Sequence, residues 1–153
     1  MTDLIDATVN GAPPNDMRVA IELEIPSDVR YIERIVDLVC RQCADFAYPQ
    51  RVCRLNVPVA LSEALSNAIL RGNGHDHAKH VRVRASLDRV RLVLDVIDEG
   101  VGFDYDACMD DPTRPENLER EDGRGLFLMQ RLMDRVERFQ ERGNVVRLTL
   151  ARA

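Results

Sequence analysis

From Arg18 to Ile25 the chain alternates, with Val19, Ile21, Leu23 and Ile25 on one side and Ala20, Glu22 and Glu24 on the other. A period of two predicts a strand with one buried face. The period then changes. Ile32, Ile35, Val36, Val39 and Cys40 recur at helical spacing, which predicts an amphipathic helix over about 28–46, with Ser27 as its N-cap and Asp28 as a favourable first-turn charge. Tyr48-Pro49 breaks it. A second helix is expected over about 55–71, with Pro58 tolerable only near its first turn. Gly72 suits the position just past a helix end, and Gly72-Asn73-Gly74-His75-Asp76 reads as a loop. Val81, Val83, Ala85 and Leu87 alternate with arginines as a strand, Asp88-Arg89 turns the chain, and Val90–Ile97 is a second, more apolar strand.

Residues 103–122 show no periodicity and are rich in Asp, Glu and Pro. A structureless stretch of that length inside a compact domain is usually functional. Leu126, Leu128, Met129, Leu132 and Met133 mark a third helix. Two short strands, about 136–141 and 145–151, close the chain around Gly143-Asn144. The order β-α-α-β-β-loop-α-β-β predicts an α+β fold, a two-layer α/β sandwich with helices on one face of a mixed, mostly antiparallel sheet. Residues 1–16 are polar, carry Gly11, Pro13 and Pro14, and read as a mobile arm preceding one domain over 17–153.

Composition narrows the function. The chain has 153 residues, 45% of them hydrophobic, which suffices for one core without disulfides or metals. The formal net charge is −5, arginines are interleaved with acids, and there is no Trp, so neither a basic face nor a base-stacking surface for nucleic acid is evident. No signal-peptide pattern or apolar run of membrane length is seen, and the expectation is a cytoplasmic protein with reduced thiols. Cys40 and Cys43 form a CxxC without a second pair, inside a helical pattern, and packing accounts for them better than zinc or redox chemistry. His75, His77 and His80 cluster in a short exposed loop. The acids of 104–122 lack calcium-loop spacing.

Three constellations carry chemistry. Glu63 and Asn67 lie four apart on one helix face, beside the apolar stripe of Leu61, Ala64, Leu65 and Ala68. A carboxylate held there is poorly solvated and can be tuned as a base, and an amide oxygen suits Mg²⁺. Taken alone, the pair reads equally well as two polar flank residues. Asp98-Glu-Gly100-Val-Gly102 follows the apolar strand. Its carboxylate can accept from an adenine amino group, and its glycines admit a ligand close to the backbone. Alone it is also a turn after a strand. Gly123-Arg124-Gly125 directly precedes the third helix, where free N–H groups attract phosphate, although glycine before a helix is common.

Taken together and in this order, ExxxN, DxGxG and GxG resemble the N, G1 and G2 boxes of the Bergerat-fold (GHKL) ATPases. That superfamily includes gyrase, the ninety-kilodalton heat-shock chaperone, mismatch-repair ATPases and histidine kinases. The segments ALSEALSNAILRGN, DEGVGFD, DPTRPENL and GRGLFLMQRLMDRVE are more closely similar to the anti-sigma-factor serine kinases, over roughly residues 18–150. The resemblance implies a Bergerat ATP-binding fold using ATP and Mg²⁺. It makes Glu63 the general base and Asn67 the Mg²⁺ ligand. It gives Asp98 the adenine amino group and has Gly100 and Gly102 shape the adenine pocket. Gly123, Arg124, Gly125 and Leu126 fall at the phosphate cradle, residues 104–122 form an ATP lid, and Arg120 is the candidate for touching the γ-phosphate. Two departures stand out. Arg71 replaces a frequent His, and Asn144-Val145 sit where relatives often carry Thr near the adenine.

The function implied is a protein serine/threonine kinase and anti-sigma regulatory factor. It would phosphorylate a STAS-type antagonist protein, hold a sigma factor in its other state, and form a homodimer. Two other readings stay open: an ATP-binding switch module without phosphoryl transfer, and a stand-alone histidine-kinase-type catalytic domain.

Overall fold

The computed structural model describes residues 14–100 and 121–153. Strands β1 (Val19–Pro26), β2 (His80–Leu87), β3 (Arg91–Asp98), β4 (Arg135–Gln140) and β5 (Asn144–Ala151) form one sheet in the order β1-β2-β3-β5-β4. All four pairings are antiparallel, so among the described residues the sheet is not mixed. The register is enforced by burial. In β2, Val81, Val83, Ala85 and Leu87 are buried while Arg82 and Arg84 point the other way, and a one-residue slip would exchange the two sets.

Helices α1 (Ile32–Asp45), α2 (Val57–Asn67) and α3 (Glu121–Leu132) cover the apolar face. Ile35, Val36, Val39 and Cys43 of α1 join Ala60, Leu61, Ala64 and Leu65 of α2 and Leu126 and Met129 of α3. They pack on Leu92, Leu94, Val96, Val146, Leu148 and Leu150 of the sheet. The helix-free face carries charge. There the Asp95 carboxylate, 6% exposed, accepts from Arg147 Nε and Nη2 (2.7 and 2.9 Å) and from Arg84 Nη2 (3.0 Å).

Three local expectations change. The first concerns the approach to α1, which is a 3₁₀ turn, Val29–Tyr31, capped by Asp28, whose carboxylate accepts from Arg30 N at 2.9 Å. Ser27 is fully buried instead, and its hydroxyl donates to Lys79 O (2.8 Å).

The second concerns the helical run around α2. It opens just after Pro49, whose carbonyl accepts from Val52 and Cys53 N–H, and includes π-helical turns at Val52–Asn56 and Ala68–Gly72. Pro58 lacks the N–H an α-turn needs, and the chain is widened there, with Val57 N–H donating five residues back to Val52 O. At the far end Gly72 does not adopt a left-handed conformation, whereas Gly74 (φ 59°) and His75 (φ 61°) do.

The third concerns α3, which begins at Glu121. Gly123-Arg124-Gly125 are therefore inside the helix rather than ahead of it, and the last two residues of the expected 104–122 lid are helical. The helical cost of glycine, about 1 kcal/mol each, argued for a later start. Gly125 lies close against Glu63 of α2, so a side chain at that position would have to displace the Glu63 carboxylate.

The turn at residues 14–16 is tied down by Met17 N–H to Pro14 O (3.0 Å) and by Arg89 to the Asn15 side chain. The rest of the expected arm lies outside the described residues. So do Gly102, Cys108, Arg120 and most of the expected lid. Cys43 is fully buried and Cys40 packs against the same core, in keeping with a packing role. Burial pushes their thiols up to about 12 and about 11.

Candidate nucleotide site

Asp98 is the last residue of β3 and points to the helical side of the sheet, where it is 5% exposed. Its Oδ1 accepts from Gly100 N–H (3.0 Å) and from Asn144 Nδ2 (2.8 Å). Desolvation raises its pKa above the ordinary carboxylate range, opposed by those two hydrogen bonds and by Lys79. The carboxylate lies against Gly72. A β-carbon on residue 72 would stand 2.3 Å from both Cγ and Oδ2 of Asp98, so glycine is needed here for room and not to end the helix. Gly100 in turn is pressed against the Gly72 carbonyl. The expected pairing of a strand-end carboxylate with a close-approach glycine is thus present, with Gly72 as a third member.

One floor below, α2 presents Glu63 and Asn67, and α3 crosses directly over them. A β-carbon on Gly125 would lie 2.6 Å from Glu63 Oε2 and 3.7 Å from Asn67 Nδ2. Between the helices is a cavity of about 350 Å³ lined by Glu63, Ser66, Asn67, Leu70, Arg71, Arg124, Gly125 and Leu128. Two of the three constellations therefore meet in a single hollow, and the third, at Asp98, adjoins it through Gly72. Asn67 is 7% exposed, and its amide nitrogen has no hydrogen-bond partner among the described residues. A buried amide left unsatisfied costs about 1–3 kcal/mol, and such a group at a cavity wall points to a ligand. Nitrogen and oxygen exchange places by a half-turn of the side chain, so the same amide can offer oxygen to a hard cation. The donor set of Glu63 and Asn67 fits Mg²⁺ on that ground.

The glycine-rich start of α3 suits phosphate. Its described part opens at Glu121, so Gly123-Arg124-Gly125 lie in its first turns, and the dipole of a helix start favours an anion. The Leu126 side chain is fully buried in the core, so a ligand could meet this residue only through its backbone. Arg71, in the turn that ends α2, is exposed and lines the cavity one helical turn beyond Asn67, on the side toward Gly72.

Asn73, which the sequence places in a loop, organises the corner around Asp98. The Nδ2 of Asn73 donates to Ser27 Oγ (2.8 Å) and His80 O (3.0 Å), while its Oδ1 accepts from Glu99 N–H (2.8 Å). It binds the ends of α2, β1, β2 and β3 into one corner around Asp98. Nothing in the GNG pattern distinguishes such an asparagine from a turn residue. Among the histidines nearby, His80 faces Glu99, whose carboxylate also accepts from the His80 backbone N–H, and His75 and His77 meet edge to face at 6.4 Å.

The histidine kinase-like ATPase domain model matches residues 25–150, which takes in every described element of the site. A serine-protein kinase RsbW of Bacillus subtilis is 29% identical over 134 residues, covering 84% of this chain and 83% of the relative. The serine-protein kinase RsbW of Bacillus velezensis is 28% identical over the same shares of both chains. An anti-sigma F factor of Clostridium beijerinckii is 32% identical over 98 residues, 62% of this chain and 67% of the relative. Among the described residues no helix is long and apolar enough to cross a membrane. With a buried carboxylate at a strand end, an acid and an amide on one helix face and a glycine-bearing helix closing over them, the chain belongs to the histidine kinase-like ATPase family, on the branch of the anti-sigma-factor serine kinases.

Proposed function

We propose that this protein is an ATP-dependent protein serine/threonine kinase. As an anti-sigma regulatory factor, it phosphorylates a STAS-type antagonist protein. The observation that carries the reading is the approach of Gly125 to Glu63, which puts Glu63, Asn67, Arg124 and Gly125 around one cavity. The names of the relatives, serine-protein kinase and anti-sigma factor, favour transfer to a protein hydroxyl over a binding switch alone.

In this reading Asp98 accepts from the adenine amino group, and the α3 N-terminus faces the phosphates. Glu63 takes the proton from the attacking serine or threonine hydroxyl. The hydroxyl oxygen forms a bond to the γ-phosphorus. The bond to the β,γ-bridging oxygen breaks, and ADP leaves with that electron pair. Mg²⁺ held by Asn67 would neutralise phosphate charge when bound. Arg120 and Gly102, outside the described residues, keep the γ-phosphate and adenine-pocket roles that the resemblance gives them. A homodimer in the cytoplasm completes the proposal.

The test is incubation with γ-labelled ATP, Mg²⁺ and a candidate antagonist. Acid-stable label on the antagonist, lost with Glu63→Gln, is expected. Acid-labile label would favour the histidine-kinase type of chemistry. ATP binding without label on any partner would favour the switch module.

A further inference from the structure

Asn144 opens β5 directly opposite Asp98 in the β3–β5 register. Its two amide hydrogens go to different places: Nδ2 donates to Asp98 Oδ1 at 2.8 Å and to Gly100 O at 2.8 Å. Its oxygen is fixed as well, accepting from Gln140 Nε2 at 3.2 Å, so the amide has one orientation that satisfies all three contacts. The consequence falls on Asp98. Oδ1 takes both Gly100 N–H and Asn144, which directs the remaining acceptor, Oδ2, toward the space that Gly72 leaves by lacking a side chain. A hydroxyl at position 144 has a single hydrogen to donate and would make one of the two bonds, not both.

We propose that Asn144 is a positioning residue that locks the Asp98 carboxylate and the Gly100 backbone together, leaving one defined oxygen of Asp98 to select a purine carrying a 6-amino group. The inference rests on the nucleotide reading above and deepens it. Asn144 itself touches no base. It acts by denying the carboxylate the rotation that would let it accommodate a 6-oxo purine through a bridging water or a shared proton. Selectivity of this kind depends on a polar group that cannot swing away from a mismatched partner.

The experiment is calorimetric titration of the full chain with Mg·ADP and with Mg·inosine diphosphate, which carries a carbonyl in place of the amino group. Wild type should prefer ADP by about ten- to a hundred-fold, the range for a hydrogen bond to a charged group. Asn144→Ala should bring the ratio of the two affinities toward one. A merely structural loss would weaken both ligands together and leave the ratio intact. Asn144→Val, isosteric with threonine and suited to a strand, has no donor, and it should lose the preference even if the alanine variant does not fold. Asn144→Thr, with one donor, should fall between. If wild type prefers ADP and both donor-less variants keep that preference, the inference is overturned and the nucleotide site stands. If wild type binds neither ligand, or both equally, the role of Asp98 is wrong and the inference falls with it.

Discussion

The carbonyl oxygen of Gly72 lies 1.4 Å from where a β-carbon on residue 100 would be. The end of α2 and the turn after β3 are in backbone contact, and no rotamer relieves a clash between a β-carbon and a carbonyl. Gly100→Ala should therefore destabilise the fold by about 3 kcal/mol, the upper part of the range for overpacking. Urea unfolding followed by circular dichroism gives the value. A change under about 0.5 kcal/mol, the size of an ordinary surface substitution, would mean that the two segments do not pack this way.

Gly125→Ala tests the other close approach. The new methyl would sit 2.6 Å from Glu63 Oε2, the end of a side chain that can move. The fold should survive, while Glu63, the proposed base, is displaced. The transfer rate should fall by about 10²-fold or more, in line with loss of a general base, and ADP affinity should stay within a few-fold of wild type. Equal losses in kcat and ADP affinity would point to a collapsed cavity instead.

Acidification should release adenine nucleotides earlier than an ordinary carboxylate would. Asp98 is raised above its usual range, chiefly by desolvation, with Asn144, Gly100 N–H and Lys79 opposing. An acid raised in the folded state binds its proton more readily there than in the unfolded chain. Its burial thus lowers stability at neutral pH, and that penalty lifts as pH falls through the raised pKa. In the proposed reading the ionised form of Asp98 holds the adenine amino group, so ADP affinity should drop over the same window while the fold itself does not weaken on this account. Affinity measured by titration between pH 7 and 4 checks the sign, and rising ADP affinity on acidification would contradict it.

Native Cys40 and Cys43 should resist thiol reagents at pH 8. Burial pushes them to about 11 and about 12, which leaves almost no thiolate. Mass-spectrometric mapping after alkylation should find them unmodified in the native protein and modified in urea. Rapid native labelling of Cys43 would show that α1 does not sit on the core as described.

On the outer face of the sheet, Asp95→Ala would leave Arg84 and Arg147 without their shared carboxylate. Both arginines are about a third exposed, at 32% and 36%, so water offsets part of the loss. A destabilisation of about 2 kcal/mol is expected, below the 3–5 kcal/mol of a fully buried broken pair. Chemical denaturation of the variant measures it.

What could be read from the chain depended on whether a residue's role is local. The alternation of Val81 to Leu87 and the helical spacing of Ile32 to Cys40 reflect one buried face each, and both survive in the structure. Asp98 and Glu63 stand out as candidates only because ExxxN, DxGxG and GxG follow one another in one order, each pattern alone reading as ordinary structure. Gly72 was assigned a helix-ending role because its true constraint, the Asp98 carboxylate 26 positions on, is not a sequence neighbour. Asn73 was lost in a turn-like string for the same reason. The sequence places the start of α3 too late because glycine weighs against a helix locally, while the close approach of Glu63 from another helix, which suits Gly125, is invisible along the chain.

That distance along the chain has a consequence for how the molecule assembles. Asn73 reaches Ser27 across 46 positions and Glu99 across 26, and Asn144 reaches Asp98 across 46. Each tie closes a long loop, whose entropy must be spent before the contact returns anything. The hairpins β2–β3 and β4–β5 have no such delay. These two hairpins should thus be paired in the folding transition state while β1–β2, β3–β5 and the corner around Asp98 are still open, and substitutions at Asn73 should speed unfolding far more than they slow folding. A newly made chain would possess its two hairpins before it possesses its nucleotide pocket.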